Sequence, residues 1–553
     1  MKMKIAALLF AAALLAGLGA PAGAEPAASR GYLLNMYHFN IQYVVGDEAS
    51  MHRIIVQSFE PLVDFYLAHP GWGADFEMQG VMIEFMGRNY PAVLEKFKRL
   101  VNSGQAELVT FHYTDALLLA FPGHDELWSL KLNDQLLDRW GIKRSGVIFC
   151  QEAQYGEGLS RLGKAHGYNT AVMTMSGYSW FQDDDRFPFF TVQGMDVIAK
   201  RDATEPTSGI KVKWAFCGDG ELVATGGLSP YFAGLFRKNP VKLARLRAQF
   251  EKAEREGYKI ATVSQYAAAL HAAGVKPEPL KPILDSPWRP EDASGVLQWM
   301  GRDSQRWEKD YDMRTKNWQV RSLIIEAERA GASEAALSAA WSAMLNAECS
   351  DPSGWFPFKV EVNFDYQSMD EARAALASDP KLDLAALEKR ANQAPACGKE
   401  TPAPLELRLG GNAAKGSAKW SELTGTAGGY CLDVSWPGPG NGAVGFPWSG
   451  NTVEYSPAMM EDTVRAIPSS ALKGKTIHLG LPNGLIGLGN AKYIVRDNQA
   501  GTVAGGIDFQ KREVRFEVQK GREKDYRFRF YLLPGASAED ARKFANQVNR
   551  IEP

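Results

Sequence analysis

Gly146-Val-Ile-Phe-Cys-Gln-Glu152-Ala-Gln-Tyr-Gly-Glu157-Gly-Leu159 is the stretch on which the fold turns. Val147 to Cys150 is a short apolar run, the length of a buried strand. A carboxylate, Glu152, stands where that run ends. The segment from Leu159 to His166 then has helical character. In α/β barrels, catalytic groups sit at the carboxyl ends of strands, on the loops that lead into helices. Glu157 has a simpler explanation. It opens the following helix, where an acidic side chain complements the helix dipole.

Working outward, strand-like and helix-like segments alternate for more than 200 residues. The expected strands are Tyr32 to Phe39, Ala74 to Gln79, Glu107 to His112, Val147 to Cys150, Thr170 to Met175, Asp196 to Lys200, Lys211 to Cys217 and Lys259 to Val263. Between them, Ser50 to Ala68, Pro91 to Val101, Glu126 to Trp140 and Pro240 to Gly257 carry apolar residues at helical spacing. Such alternation predicts a parallel sheet, open or closed into a barrel. The proline-rich stretch from Lys276 to Pro290 marks a boundary. An all-helical pattern follows, with Trp299, Trp307, Trp318 and Trp341 read mainly as bundle core. A second proline-rich linker spans Ala394 to Pro404. Beyond it, short runs of period two separated by Gly and Asn turns predict a β-sandwich.

The chain has 553 residues, too many for one hydrophobic core. Its formal charge of -2 gives no basic field for nucleic acid. Lys2 and Lys4, the apolar run Ile5 to Leu18 and Ala22-Gly23-Ala24 have the form of a cleavable signal peptide, with cleavage near Ala24. The run is too short to span a membrane. The sequence therefore predicts a periplasmic or secreted protein without a membrane anchor. Five cysteines are too few for a disulfide framework. They read as buried thiols with room for one bridge, Cys150 and Cys217 being one candidate pair.

The eight histidines contain no pair within five residues, so no metalloprotease-like spacing exists. No Gly-x-Ser-x-Gly elbow is present for a serine nucleophile. Gly440-Asn-Gly442-Ala-Val-Gly445 matches a dinucleotide fingerprint literally. Pro437 and Pro439 precede it and Pro447 follows, so it reads as a loop. Carboxylate chemistry remains. Asp219 follows the apolar run Val212 to Cys217, so Glu152 and Asp219 fall at the same end of the predicted sheet. Glycoside hydrolysis uses such a pair, one carboxylate at the anomeric carbon and one proton donor to the leaving oxygen.

These residues resemble glycoside hydrolase family 57 over about residues 31 to 360. The likeness rests on five stretches in order: His38-Phe39-Asn40-Ile41-Gln42; Gly104-Gln105-Ala106-Glu107-Leu108 with His112-Tyr113; Phe149-Cys150-Gln151-Glu152; Asp219-Gly220-Glu221; and Ala347-Glu-Cys-Ser350-Asp351 with Trp355. Two departures stand out. The first stretch reads Asn40-Ile41-Gln42 where the family has His-Gln-Pro. Asp351 is followed by Pro352, with the tryptophan displaced to Trp355.

The resemblance implies an incomplete (β/α)7 barrel, giving domains of 25–285 for the barrel and 286–395 for a helical subdomain, between the signal peptide 1–24 and the β-sandwich 405–553 read from the sequence pattern. It implies a retaining α-glycosidase or 4-α-glucanotransferase with Glu152 as nucleophile and Asp219 as acid/base, using no metal and no organic cofactor. His38, Asn40, Gln42, His112, Tyr113, Trp214, Glu221, Asp351 and Trp355 would bind an oligosaccharide or polysaccharide, with Trp180 a further candidate wall. Asp219 should be the less solvated of the pair, so as to hold its proton. Two other readings stay open: a carbohydrate-binding protein that does not cleave, and a metal-dependent polysaccharide deacetylase.

Overall fold

The computed structural model describes residues 31–174, 185–226, 236–280, 283–287, 296–303, 307–354, 357–472 and 476–553. The signal-peptide segment, Trp180 and Trp355 lie outside these residues.

The first strands are β1 (Gly31–Phe39), β2 (Ala74–Met78), β3 (Ala106–Val109), β4 (Val147–Ile148), β5 (Thr170–Met173), β6 (Phe189–Val192), β7 (Met195–Ala199), β8 (Ala203–Thr204) and β9 (Lys211–Asp219). They fall into two sheets. One has the order β3-β2-β1-β9-β8, with strand Tyr258–Ala261 also on β1. The other runs Glu278–Pro279, β6, β7, β5, β4. The pairs of β1 with β2, β9 and Tyr258–Ala261, β2 with β3, and β5 with β4 and β7 are parallel. The β6–β7 and β8–β9 pairs are antiparallel.

Among the described residues no ladder joins β3 to β4. The seam carries a bond from the Ser145 N–H to the Leu108 carbonyl, 2.9 Å. The sheets face each other across one apolar cluster, with Tyr32, Leu34 and Met36 from β1, Val109, Val147, Val172, Ile198 and Val212. Alternate residues of β1, Leu33, Tyr37 and Phe39, pack outward against the helices. Both faces are buried, as expected of a parallel strand covered by helices.

Several expected elements have different bounds. β3 and β4 are shorter than predicted, because Thr110 to His112 and Phe149–Cys150 leave the ladder as the chain turns into the site. Strand β6 was not anticipated. One helix of the helical region spans Lys359–Ala377. At the start of the helical region the described residues form one turn, Val296–Gln298. Trp299, Trp318 and Trp341 are core, but Trp307 is 50% exposed. In the helical region Ser333 and Asp383 cap their helices by accepting from Ala336 N–H and Ala386 N–H.

Beyond residue 396 the described residues form antiparallel sheets of eight and five strands. Rings meet between them, Phe446 with Phe530 at 5.3 Å and Phe516 with Phe530 at 4.9 Å. The glycine-rich stretch read as a loop is a strand, Gly440–Pro447, paired with Arg408–Gly411 and Glu513–Gly521. Small residues suit it because neighbours press close. A Cβ on Gly442 would sit 2.4 Å from Trp436 Nε1. The disulfide joins Cys397 and Cys431, while Cys150 and Cys217 are free thiols. Sequence separation gave no means of choosing between these pairs.

This antiparallel region braces the Glu152 loop. Tyr155 pairs with Ser286, and the neighbouring Asp285 accepts from Ala458 N–H at 2.7 Å. A Cβ on Gly158 would sit 1.9 Å from the Ala458 carbonyl oxygen, so this helix needs glycine to approach. No helix of the described residues is long and apolar enough to cross a membrane.

Candidate active site

The site forms at the carboxyl ends of β1, β2, β3, β4 and β9. Strand period puts Tyr32, Leu34 and Met36 of β1 on the interior face, and the same alternation brings His38 to that face at the strand's end. His38 stands level with Glu77 on β2 and with Asp219 on β9. On β2, Ala74, Phe76 and Met78 pack outward, which turns Asp75 and Glu77 inward.

Glu152 lies in the short turn Gln151–Ala153 after β4. Its backbone is left-handed, φ 54° and ψ 19°, and Ala153 follows at φ 49°. Non-glycine residues reach that region at a cost of about 1 kcal/mol or more, and such strain clusters at functional sites. Glu221 is buried in the turn after Asp219 and accepts from the Asn40 N–H. Asp351 arrives from the helical region and accepts from Asn40 Nδ2 at 2.8 Å. The helical region is fastened here. Ser350 N–H donates to the Asp115 carbonyl at 2.9 Å, and Thr114 Oγ1 to the Leu345 carbonyl at 2.8 Å.

The electrostatics are those of crowded carboxyls around two imidazoles. Burial alone would lower the pKa of His38, but Glu77, Asp115 and Glu221 raise it well above its ordinary value. His112 is raised likewise against burial, through Asp115, Cys150 and Glu77. Burial pushes Glu152 up to about 8, helped by Asp351 and opposed by His38. Glu221 is pushed up to about 8 and Asp351 to about 7, each mainly by burial. Glu77 moves the other way. Its burial is outweighed by the two histidines, which lower its pKa.

The expected order of solvation is reversed. Asp219 is exposed among the described residues, and Glu152 is the half-buried one. Asp219 ends its strand at the rim, whereas Glu152 folds back into the turn.

Of the residues predicted to bind substrate, the structure gathers His38, Asn40, Glu221 and Asp351 around Glu152 and Asp219. Others are corrected. Gln42 is a tie: its Oε1 accepts from Asp115 N–H at 2.6 Å, and its Nε2 donates to Asn346 at 3.2 Å. His112, 1% exposed, lies beneath the cleft with Glu77 and Asp115. Tyr113 spends its hydroxyl on Glu84 and Ser342, between two helices.

Trp214 is level with Leu34, five residues before Asp219 along β9. That is about 15 Å along the strand from Asp219, and the ring is half-buried against the interior cluster. In the Gly104-Gln105-Ala106-Glu107 stretch both polar side chains make structural bonds. Gln105 Nε2 donates to the Tyr66, His69 and Trp72 carbonyls, and Glu107 accepts from Thr262 and Ser264.

Two residues were missed, Glu77 and Asp115. A charged residue inside the apolar run Ala74-Asp75-Phe76-Glu77-Met78 was the available signal for the first. For Asp115 it was His112-Tyr-Thr-Asp115, three residues apart. One atom from each of Glu77, His112 and Asp115 lies within 4.8 Å of the others, the spacing a cation needs. Histidine spacing along the chain could not reveal this, because the donors come from separate strand ends.

No protein-family profile matches the chain. Among curated proteins it is 27% identical over 113 residues to alpha-amylase 1 of Dictyoglomus thermophilum, covering 20% of this chain and 16% of that one. It is 25% identical over 151 residues to an alpha-amylase of Pyrococcus horikoshii, covering 26% of this chain and 23% of that one. The chain is thus similar to alpha-amylases over short stretches. The matched stretches span less than a quarter of those relatives' lengths.

Among solved structures, an alpha-mannosidase from Enterococcus faecalis superposes with a TM-score of 0.58 at 8% identity, covering 95% of this chain and 89% of that one. That likeness is one of fold. A 4-alpha-glucanotransferase from Thermococcus litoralis gives a TM-score of 0.48 at 12% identity, covering 91% of this chain and 99% of that one. A GH57-type branching enzyme from Pyrococcus horikoshii gives 0.44 at 13% identity, covering 66% of this chain and 95% of that one.

Proposed function

We propose that this chain is an exported glycoside hydrolase or transglycosidase of the retaining class, acting on α-linked glucan through Glu152 and Asp219. One observation carries it: Glu152, on strained backbone after β4, and Asp219, level with His38 at the end of β9, stand at one rim. In this reading Glu152 attacks the anomeric carbon and Asp219 protonates the leaving oxygen. Water, or a sugar hydroxyl in transfer, then releases the glycosyl group with Asp219 as base. His38, Asn40, Glu221 and Asp351 supply polar contacts for sugar hydroxyls. The similarity to alpha-amylases supports the glucan, and the mannosidase-like fold makes α-mannosides the comparison substrate. The Cys397–Cys431 disulfide fits an oxidising compartment.

A specific observation favours the reverse roles. Glu152, held near a pKa of about 8, keeps a proton at neutral pH in the free protein. The pH profile separates the two. As nucleophile Glu152 must be ionised, so kcat/KM rises as pH rises through about 8. As acid it must be protonated, so kcat/KM falls over the same range. The substrate is tested by incubating the protein with amylose, glycogen, maltooligosaccharides and α-mannosides and measuring released reducing ends and newly formed oligosaccharides. Activity on none of them would remove the enzyme reading and leave a binding protein.

A further inference from the structure

We infer that Glu77, His112 and Asp115 form a binding site for one divalent cation of the zinc type, beneath the cleft and distinct from the Glu152–Asp219 pair. All three side chains are essentially buried, at 0%, 1% and 0% exposure. Buried polar atoms are almost always hydrogen-bonded. Here Glu77 Oε1, both ring nitrogens of His112 and both carboxyl oxygens of Asp115 lack a hydrogen-bond partner. Three of them converge: Glu77 Oε1, His112 Nε2 and Asp115 Oδ1. His112 Nε2 lies 3.3 Å from Glu77 Oε1 and 3.4 Å from Asp115 Oδ1.

Those separations are long for a charge-assisted hydrogen bond, which prefers about 2.7–2.9 Å. They match the edge of a tetrahedron. Zinc binds histidine nitrogen and carboxylate oxygen at about 2.0–2.2 Å, which sets neighbouring ligands about 3.3–3.5 Å apart. One nitrogen and two carboxylate oxygens also suit its donor preference and cancel its charge. Three protein ligands leave a fourth position open for a water.

The surroundings have the form of an outer shell. Glu77 uses its other oxygen, Oε2, on His38 Nδ1. The cation would therefore fix the Glu77 carboxylate and, through it, the orientation of His38 at the rim. This makes it a positioning element rather than a reacting group. The rival occupant is a proton on His112 Nε2, shared between the two carboxylates.

The test needs no substrate, so it stands whether or not Glu152 and Asp219 are catalytic. Tagless full-length protein is stripped with chelator, titrated with zinc sulfate and analysed for bound metal by mass spectrometry and calorimetry. The expected result is one zinc per chain, lost in the isosteric variants Glu77→Gln and Asp115→Asn whose circular dichroism stays native. Glu152→Gln keeps the metal. His38→Gln, which removes the partner of the second Glu77 oxygen, weakens affinity about 10–100-fold. A stripped wild-type protein that binds no zinc overturns the site, as does binding unchanged in Asp115→Asn.

Discussion

Two buried polar clusters in this chain are built in opposite ways. In the helical region Arg314 is fully buried and fully satisfied. It donates to the carbonyls of Trp299, Ala347 and Cys349 and to Asn317 and Ser353. Arg321 does the same with Asp125 and the carbonyls of Arg550 and Ile551. Under the cleft, Glu77, His112 and Asp115 are as deeply buried but leave their converging atoms unspent. Saturation marks a group that holds helices and chain terminus together. Unspent donors at strand ends mark one that awaits a ligand. Burying a polar group costs free energy unless it is bonded, so the second arrangement persists only where something else holds it.

The contrast predicts a graded series. Glu152→Gln or Asp219→Asn should each lower kcat by at least about 10³-fold on a confirmed substrate while the protein stays folded. Near-wild-type turnover in either variant would refute the assignment. In the saturated cluster the loss should fall on stability. Arg321→Met leaves Asp125 buried without its partner and should cost about 3–5 kcal/mol in denaturant unfolding. Adding Asp125→Leu should recover much of that; no recovery would mean the pair is not the unit.

Stability should also depend on pH through the cleft. The Glu152 carboxyl ionises near 4.5 in the unfolded chain and near 8 in the folded one. Its contribution is complete below the first value and is lost as pH rises through the second. Glu152→Gln cannot ionise, so it should gain Tm relative to wild type as pH rises from 5 to about 8.5. A constant difference across that range would show that Glu152 is not held neutral. The smallest effect belongs to Trp214, half-buried and five residues along β9 from Asp219. Trp214→Leu should cost about 1 kcal/mol of stability and leave KM within about twofold.

The site was unevenly legible before the fold was known. The placement of Glu152 and Asp219 at strand ends was readable because each ends an apolar run, the local signature of a buried strand. The position of Trp214 along its strand was not legible, because register alone sets it. His112 was noticed but assigned to sugar, since a histidine after a strand looks alike at the rim and beneath it. Gln105 and Glu107 sit in a motif yet spend their side chains on structural bonds. The Cys397–Cys431 bridge and the strand Gly440–Pro447 depend on partners distant in sequence, which local pattern does not see.

By itself the sequence determined what periodicity and composition control: alternating strands and helices, then a helical stretch, then antiparallel strands, with two carboxylates at strand ends. These follow from local sterics and from which side chains leave water. Tertiary structure alone decided which charges share one cavity. Register set His38 level with both Glu77 and Asp219, and the helical region carried Asp351 onto Asn40. A pKa, a bridge or a cation site is a property of distances between remote residues, and those exist only once the chain has folded.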